Sequence, residues 1–135
     1  MSRPMKKPFA LAPLALLAGC VIYHNAPIVD GGPPAPEGTA VALGQPVHVG
    51  GLVATPKEVT EDSRCPENVR CVWAGRLVVL TRLDGPGWRE TPELVLGETY
   101  ATRGTSITLV SGTPARRAGT ETAPGDYRFV YEGGR

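Results

Sequence analysis

The chain of 135 residues is poor in the side chains that most often carry chemistry, with two histidines, three cysteines and 6% aromatic residues. Only His48 falls in the part that is expected to fold, so a zinc site or a serine nucleophile would lack ligands or a base. No window places apolar residues at helical spacing over three turns, which argues against a helical fold. The sequence therefore predicts no catalytic residue, no metal ligand and no cofactor site.

The chain also lacks an apolar run long enough for a membrane span. The stretch from Phe9 to Leu17 is apolar, but a helix needs about 20 such residues to cross a bilayer. It follows a basic start with Arg3, Lys6 and Lys7 and leads into small residues, which is the layout of an export signal with a cleavage site.

The end of this stretch, Leu17 to Cys20, resembles the lipobox of bacterial lipoproteins. The resemblance implies that the Cys20 sulfur receives a diacylglycerol, that the bond before Cys20 is cut and that the new amino terminus is acylated, for instance with palmitate. Several acyl chains give stable anchoring, whereas one gives only marginal binding. Val21 stands where an aspartate would imply retention in the inner membrane, so we expect an envelope protein anchored in the outer membrane and facing the periplasm. An ordinary secretory signal is the alternative.

Cleavage before Cys20 would leave 116 residues with 11 basic and 13 acidic side chains. A nucleic-acid partner is not expected, because such proteins usually carry a basic stripe. Residues 20–38 are rich in proline and glycine and predict a lipidated tether. The expected organisation is a signal peptide at 1–19, the tether at 20–38, a β domain at 39–132 and a tail at 133–135.

Short segments rich in β-branched residues, separated by glycine, proline and aspartate, predict an all-β domain. We expect a small antiparallel β-sandwich or partly open barrel of six to seven strands. The candidate strands are Ala40 to Leu43, Pro46 to Val53, Lys57 to Glu61, Cys71 to Leu83, Glu93 to Leu96, Ser106 to Val110 and Tyr127 to Tyr131.

The segment from Cys71 to Leu83 is apolar at both alternating sets of positions, which predicts a central strand covered on much of both faces. Trp73 is expected to pack on a disulfide in the core. Asp84 to Gly87 is a strong turn signal that predicts a hairpin into the next strand. Trp88, beside this turn, is the aromatic residue expected to be an exposed contact.

Cys65 and Cys71 predict a structural disulfide, because no other thiol is left once Cys20 carries a lipid. Closing a loop of about 7 residues stabilises a fold by roughly 2.4 kcal/mol on the chain-entropy model. A redox centre, or a metal site that adds His48, is the less favoured alternative.

Polar residues surround the two cysteines. Asp62, Ser63, Arg64 and Arg70, together with Trp73 and Trp88, are candidates either for a recognition surface or for contacts that order the loop, such as hydrogen bonds and ion pairs. The structural role is the favoured one. Ser63 as a nucleophile would depend on His48, and no nucleophile elbow is present.

The motif Asp62-Ser63-Arg64-Cys65-Pro66, followed by Cys71-Val72-Trp73-Ala74-Gly75, resembles one shared by uncharacterised bacterial lipoproteins and exported proteins. The resemblance implies an exported β domain that is braced by a disulfide. It implies no mechanism, because that family has no established activity. The sequence as a whole predicts a non-catalytic binding or structural accessory module. A membrane is its expected partner through the anchor, and an envelope protein is a further one. An inhibitor of an envelope enzyme is the alternative.

Overall fold

The computed structural model describes Pro4 and residues 32–133. The expected lipidation site Cys20 and almost all of the signal peptide, the tether up to residue 31 and the last two residues lie outside the described residues. The described part has eight strands and one short 3-10 turn at Pro124–Asp126. The strands are β1 (Val47–Val49), β2 (Leu52–Asp62), β3 (Leu77–Gly85), β4 (Trp88–Glu90), β5 (Glu93–Val95), β6 (Thr99–Thr102), β7 (Thr105–Thr113) and β8 (Arg128–Gly133).

The strands form two sheets, in which all strand pairs are antiparallel. In the first, β3 pairs with β2 along one edge and with both β4 and β5 along the other, while β1 pairs with the start of β2. The second has the order β6-β7-β8. The all-β prediction is confirmed. The short strands β4 and β6 were not predicted, because three or four residues carry too little alternation to be recognised.

Apolar side chains from both sheets share one core. The hydrophobic effect drives this burial, at about 1.5 to 3 kcal/mol for each fully buried large side chain. The hydroxyl group of the buried Tyr131 lies 2.9 Å from that of Thr81, so neither polar group is left without a partner. The buried cluster consists of Val41, Val47, Val49, Ala54, Leu77, Val79, Leu83, Leu94, Ile107, Leu109, Tyr127, Phe129 and Tyr131.

The central strand β3 is covered on both faces, as predicted. Leu83 is buried on one face, and Val78 and Asp84 are buried on the other. The expected hairpin is also confirmed, since Gly85 pairs with Trp88 across Pro86 and Gly87. Gly87 has a φ of 77°, the left-handed conformation that a glycine at this turn position adopts without strain.

Several predicted strands differ from those observed. The segment Pro46 to Val53 is divided between β1 and β2, because Gly50 and Gly51 form a tight turn in which Gly50 has a φ of 58°. The strand predicted to begin at Cys71 begins at Leu77, and the residues before it form a loop. Ala40 to Leu43 makes only a single bridge, from Val41 to Phe129.

Part of the expected tether contacts the first sheet. Ala35 forms a parallel bridge with Val47, its amide donates to Pro46 O at 2.9 Å, and its carbonyl accepts from the His48 amide at 2.9 Å. The Gly50 amide donates to a Glu37 carboxylate oxygen at 3.0 Å.

Candidate functional site

The loop between β2 and β3, residues 63–76, projects from one end of the first sheet and is called here the disulfide loop. The strand residues that flank it, Asp62 and Leu77, are paired with each other, so the two ends of the loop are neighbours in the sheet. Cys65 and Cys71 are bonded, with their Cα atoms 5.8 Å apart. The predicted disulfide is therefore present.

The base of the loop is closed by reciprocal hydrogen bonds between Ser63 and Arg76. The Ser63 amide donates to Arg76 O at 2.8 Å, and the Arg76 amide donates to Ser63 Oγ at 3.0 Å. Glu61 adds a second layer: it accepts from Ser63 Oγ at 2.8 Å and from the Arg76 guanidinium at 3.0 and 3.1 Å. The hydroxyl of Ser63 thus donates to a carboxylate that is itself paired with the Arg76 guanidinium, which is a structural environment.

Asp62 and Arg64 form a bidentate pair in which the Arg64 nitrogens lie 2.8 and 2.9 Å from the two carboxylate oxygens. Arg64 also donates to Gly112 O at 2.7 Å and to Pro114 O at 3.1 Å, and so reaches the end of β7. The Tyr127 hydroxyl donates to Asp62 Oδ2 at 2.8 Å. These contacts fix the start of the disulfide loop to the second sheet, because a planar guanidinium can bond several acceptors in one fixed geometry.

The outer part of the disulfide loop is held by the loop between β7 and β8. Arg116 donates to Arg64 O at 2.7 Å, and the Glu67 amide donates to Arg116 O at 2.9 Å. The Ala118 amide donates to the Asn68 side chain at 2.8 Å. An exposed ion pair joins Arg117 and Glu67 at 2.7 Å. The loop is therefore fixed at further points by partners about fifty residues further along the chain.

Gly75 is required for the return of the loop toward β3. Its φ is 65°, and a Cβ atom placed on it would lie 1.8 Å from Ser63 O. Only glycine combines the left-handed backbone with so close an approach to a neighbouring backbone.

The braced loop exposes apolar side chains at its tip. Val72 is 95% exposed, Trp73 66% and Val69 44%. The prediction that Trp73 packs on the disulfide in the core is therefore wrong, because β3 begins only at Leu77 and the loop carries Trp73 away from the sheets. Arg70 is also exposed and makes no hydrogen bond or ion pair to any described residue.

Trp88 differs from its prediction in the opposite direction. It is half-buried against the core, packs over Gly85 and carries the Arg103 guanidinium 4.7 Å from its ring centroid. Near it, the fully buried Asp84 is paired with Arg82 and Arg89. This end of the molecule is a packed, charge-paired hairpin.

A polar groove of about 490 Å³ lies beside the disulfide loop, between β2 and the loop that precedes β8. Asp62, Arg116 and Tyr127 line it, together with Lys57 and Glu121. His48 does not, since it is exposed on β1 and its backbone is bonded to Ala35. Asp62 and His48 are thus not brought together.

The local pKa values follow from these contacts. Burial would raise the pKa of Asp62, but the hydrogen bonds from Arg64 and Tyr127 and the charge of Arg64 outweigh it and lower that pKa. Burial and the adjacent Asp62 raise the pKa of Tyr127. Asp62 is therefore held as the ionised acceptor, with Tyr127 as the neutral donor.

Among residues 32–133, no group of three or more histidine, cysteine or acidic side chains is arranged to hold a metal ion. In the same part of the chain, no helix has the length and apolarity needed to cross a bilayer. Comparison of the chain with known protein families, with curated proteins and with solved structures found no match. The resemblance of the cysteine motif to uncharacterised lipoproteins stays a prediction.

Several contributors to the site were not assigned from the sequence, namely Arg76, Arg116 and Tyr127 as structural partners and Val72 as an exposed residue. Arg116 and Tyr127 are brought to the loop by the fold of a distant segment, which leaves no local sequence signal. Arg76 and Val72 lie in the loop itself, within a segment that was predicted to be a strand.

Proposed function

We propose that this protein is a lipid-anchored component of the bacterial envelope whose β domain is a non-catalytic binding module, with the disulfide loop as its contact surface. The observation that carries the proposal is the exposure of Val72 and Trp73 on a loop that is fixed by contacts to the end of β7 and to the loop between β7 and β8. An exposed tryptophan on a preorganised loop is typical of a binding hot spot, because little conformational entropy is lost on contact.

The absence of catalysis is part of the proposal. It is supported by the hydrogen bonds that the polar side chains of Asp62 and Ser63 make within the protein. Asp62 is bonded to Arg64 and Tyr127, and Ser63 to Glu61 and Arg76. Each group is committed to holding the loop, so a substrate would have to displace those partners.

The lipid anchor rests on the sequence around Cys20. Cells fed an alkyne-bearing fatty acid should yield a labelled protein, and Cys20→Ser should abolish the label. Labelling that survives in Cys20→Ser would contradict the anchor. Sucrose-gradient separation of the membranes tests the outer-membrane location.

The contact surface is tested by replacing Trp73 with the photoreactive amino acid benzoylphenylalanine in the full chain, in living cells. Val110 is the matched control, because it is also an exposed apolar residue, 39% accessible, but lies on β7. We expect a discrete adduct, to protein or lipid, at position 73 and none at position 110. Equal yields at the two positions would contradict the proposal.

An inhibitor of an envelope enzyme is the second candidate, favoured by the rigidity of the projecting loop, since rigid loops are a common means of blocking a cleft. It predicts that the adduct at position 73 contains one enzyme, whose activity falls when the purified full-length protein is added. An undiminished activity would remove this candidate.

A further inference from the structure

The charged side chains of the domain are distributed unevenly. Residues 61–76 together with Arg116 and Arg117 carry five arginines and three carboxylates. The other described residues carry five basic and nine acidic side chains. The three carboxylates of this set are each paired with an arginine, whereas Arg70 is exposed and has no partner among the described residues. The uncompensated charge on the loop that presents Trp73 is therefore positive, which favours an anionic surface.

The shape of the tip also restricts its occupant. Three exposed apolar side chains, Val69, Val72 and Trp73, stand within five residues of one another on the disulfide loop, with the exposed Arg70 among them. A stable protein interface usually buries about 800 Å² on each partner, which three side chains do not provide by themselves. Tryptophan with neighbouring arginine is, in contrast, the composition that is favoured at the boundary between lipid headgroups and acyl chains.

We propose that the disulfide loop docks on an anionic phospholipid bilayer, with Val72 and Trp73 in the interface and Arg70 at the phosphates. This inference rests on the proposed function, in which the lipid on Cys20 keeps the domain close to such a surface. The 14 residues between Cys20 and Ala35 could span roughly 43 Å when extended. That length exceeds the diameter of about 30 Å expected for a domain of this size, so the tether allows the loop end to face the membrane.

The test uses the lipidated, full-length protein reconstituted into vesicles. The chain has two tryptophans, so Trp88→Phe leaves Trp73 as the only indole reporter. The vesicles contain equal parts of phosphatidylglycerol and phosphatidylcholine, with bromine atoms on the acyl chains as contact quenchers. We expect the Trp73 emission to shift to the blue and to be quenched, and high salt to reverse both changes. In the control Trp73→Phe, the emission of Trp88 should not change.

Two charge reversals, one within the loop and one outside it, provide a matched pair of variants. Arg70→Glu and Lys57→Glu alter the net charge equally, but Lys57 lies on β2 outside the loop. Arg70→Glu should weaken docking by about fivefold or more, while Lys57→Glu should leave it almost unchanged. Equal effects of the two reversals would show that only net charge matters and would overturn the assignment of the loop.

Flotation of the vesicles reports the anchor separately from the docking. Protein that floats while Trp73 remains unquenched would overturn the docking proposal and leave the anchor intact. Protein that does not float, but whose Trp73 is quenched when vesicles are added in excess, would support docking and contradict the anchor. Unquenched Trp73 together with a protein adduct at position 73 in cells would assign the tip to a protein and overturn the lipid proposal.

Discussion

The hydroxyl of Tyr127 donates a 2.8 Å hydrogen bond to Oδ2 of Asp62, across 65 residues of sequence. Asp62 is the last residue of β2, and Tyr127 comes directly before β8. The bond therefore joins the base of the disulfide loop to the second sheet. Asp62 places Arg64, which in turn reaches β7, so one carboxylate coordinates the contacts that fix the loop.

Removing this bond should destabilise the domain. Tyr127→Phe keeps the ring but leaves the partly buried carboxylate without one donor, and we expect a loss of about 1.5 kcal/mol in the free energy of unfolding. Tyr100→Phe is the control, since its hydroxyl is 3.4 Å from a Glu90 oxygen and should cost less than about 0.5 kcal/mol. Urea titrations of both variants make the comparison, and equal losses would contradict the role of Tyr127.

The lowered pKa of Asp62 predicts that part of the free energy of unfolding is lost in acid. Its folded pKa lies below the unfolded value, so the contribution is present above the unfolded pKa of about 3.9 and is lost as the pH falls through the folded pKa. Asp62→Asn should be less stable than the wild type at neutral pH. The difference should narrow below about pH 4. A difference that stays constant throughout the acid range would show that ionisation of Asp62 does not contribute.

At the opposite end of the molecule, substitution of Asp84 should lower the free energy of unfolding more than substitution of a residue in an exposed ion pair. Asp84 is fully buried beside the guanidinium groups of Arg82 and Arg89, whose side chains are 12% and 37% exposed, so Asp84→Asn removes the buried charge that both of them face. We expect a loss of about 3 kcal/mol. Glu67→Gln breaks the exposed pair with Arg117 and should cost less than about 0.5 kcal/mol. Denaturant unfolding decides, and similar values for the two variants would contradict this ranking.

Gly75 should be far less tolerant of a side chain than Gly87. Both have positive φ, but only at Gly75 would a Cβ atom meet backbone, namely Ser63 O. Gly87→Ala should cost about 1 kcal/mol from the backbone conformation alone. Gly75→Ala should cost at least about 2 kcal/mol, because the loop base must also shift. Thermal unfolding measures both, and equal shifts would indicate that the loop base is not tightly closed.

The sequence was sufficient for the features that depend on local pattern. Alternating apolar residues and turn signals predicted the all-β class and the hairpin at Pro86 and Gly87, and the cysteine count predicted the bond between Cys65 and Cys71. These features follow from residue types within a few positions of one another. They need no knowledge of what packs against them.

The exposure of Val72 and Trp73 could not be predicted from the sequence. Both residues continue the apolar alternation of β3, so the pattern assigns them to the same strand. The start of the strand is decided by the hydrogen bonds between Ser63 and Arg76 and by the positive φ of Gly75. Those contacts join residues more than ten positions apart. Only the folded chain distinguishes an apolar residue in the core from one displayed in solvent.

We propose that Trp73 is a contact residue because the disulfide and the surrounding hydrogen bonds hold the disulfide loop in one conformation. The most direct measurement compares photo-crosslinking at position 73 in the full chain with and without the double substitution Cys65→Ser and Cys71→Ser, with circular dichroism to confirm that the β domain remains folded. We expect an adduct at position 73 whose yield falls to the level seen at Val110 when the disulfide is absent. An adduct of equal yield in the folded variant without the disulfide would contradict it.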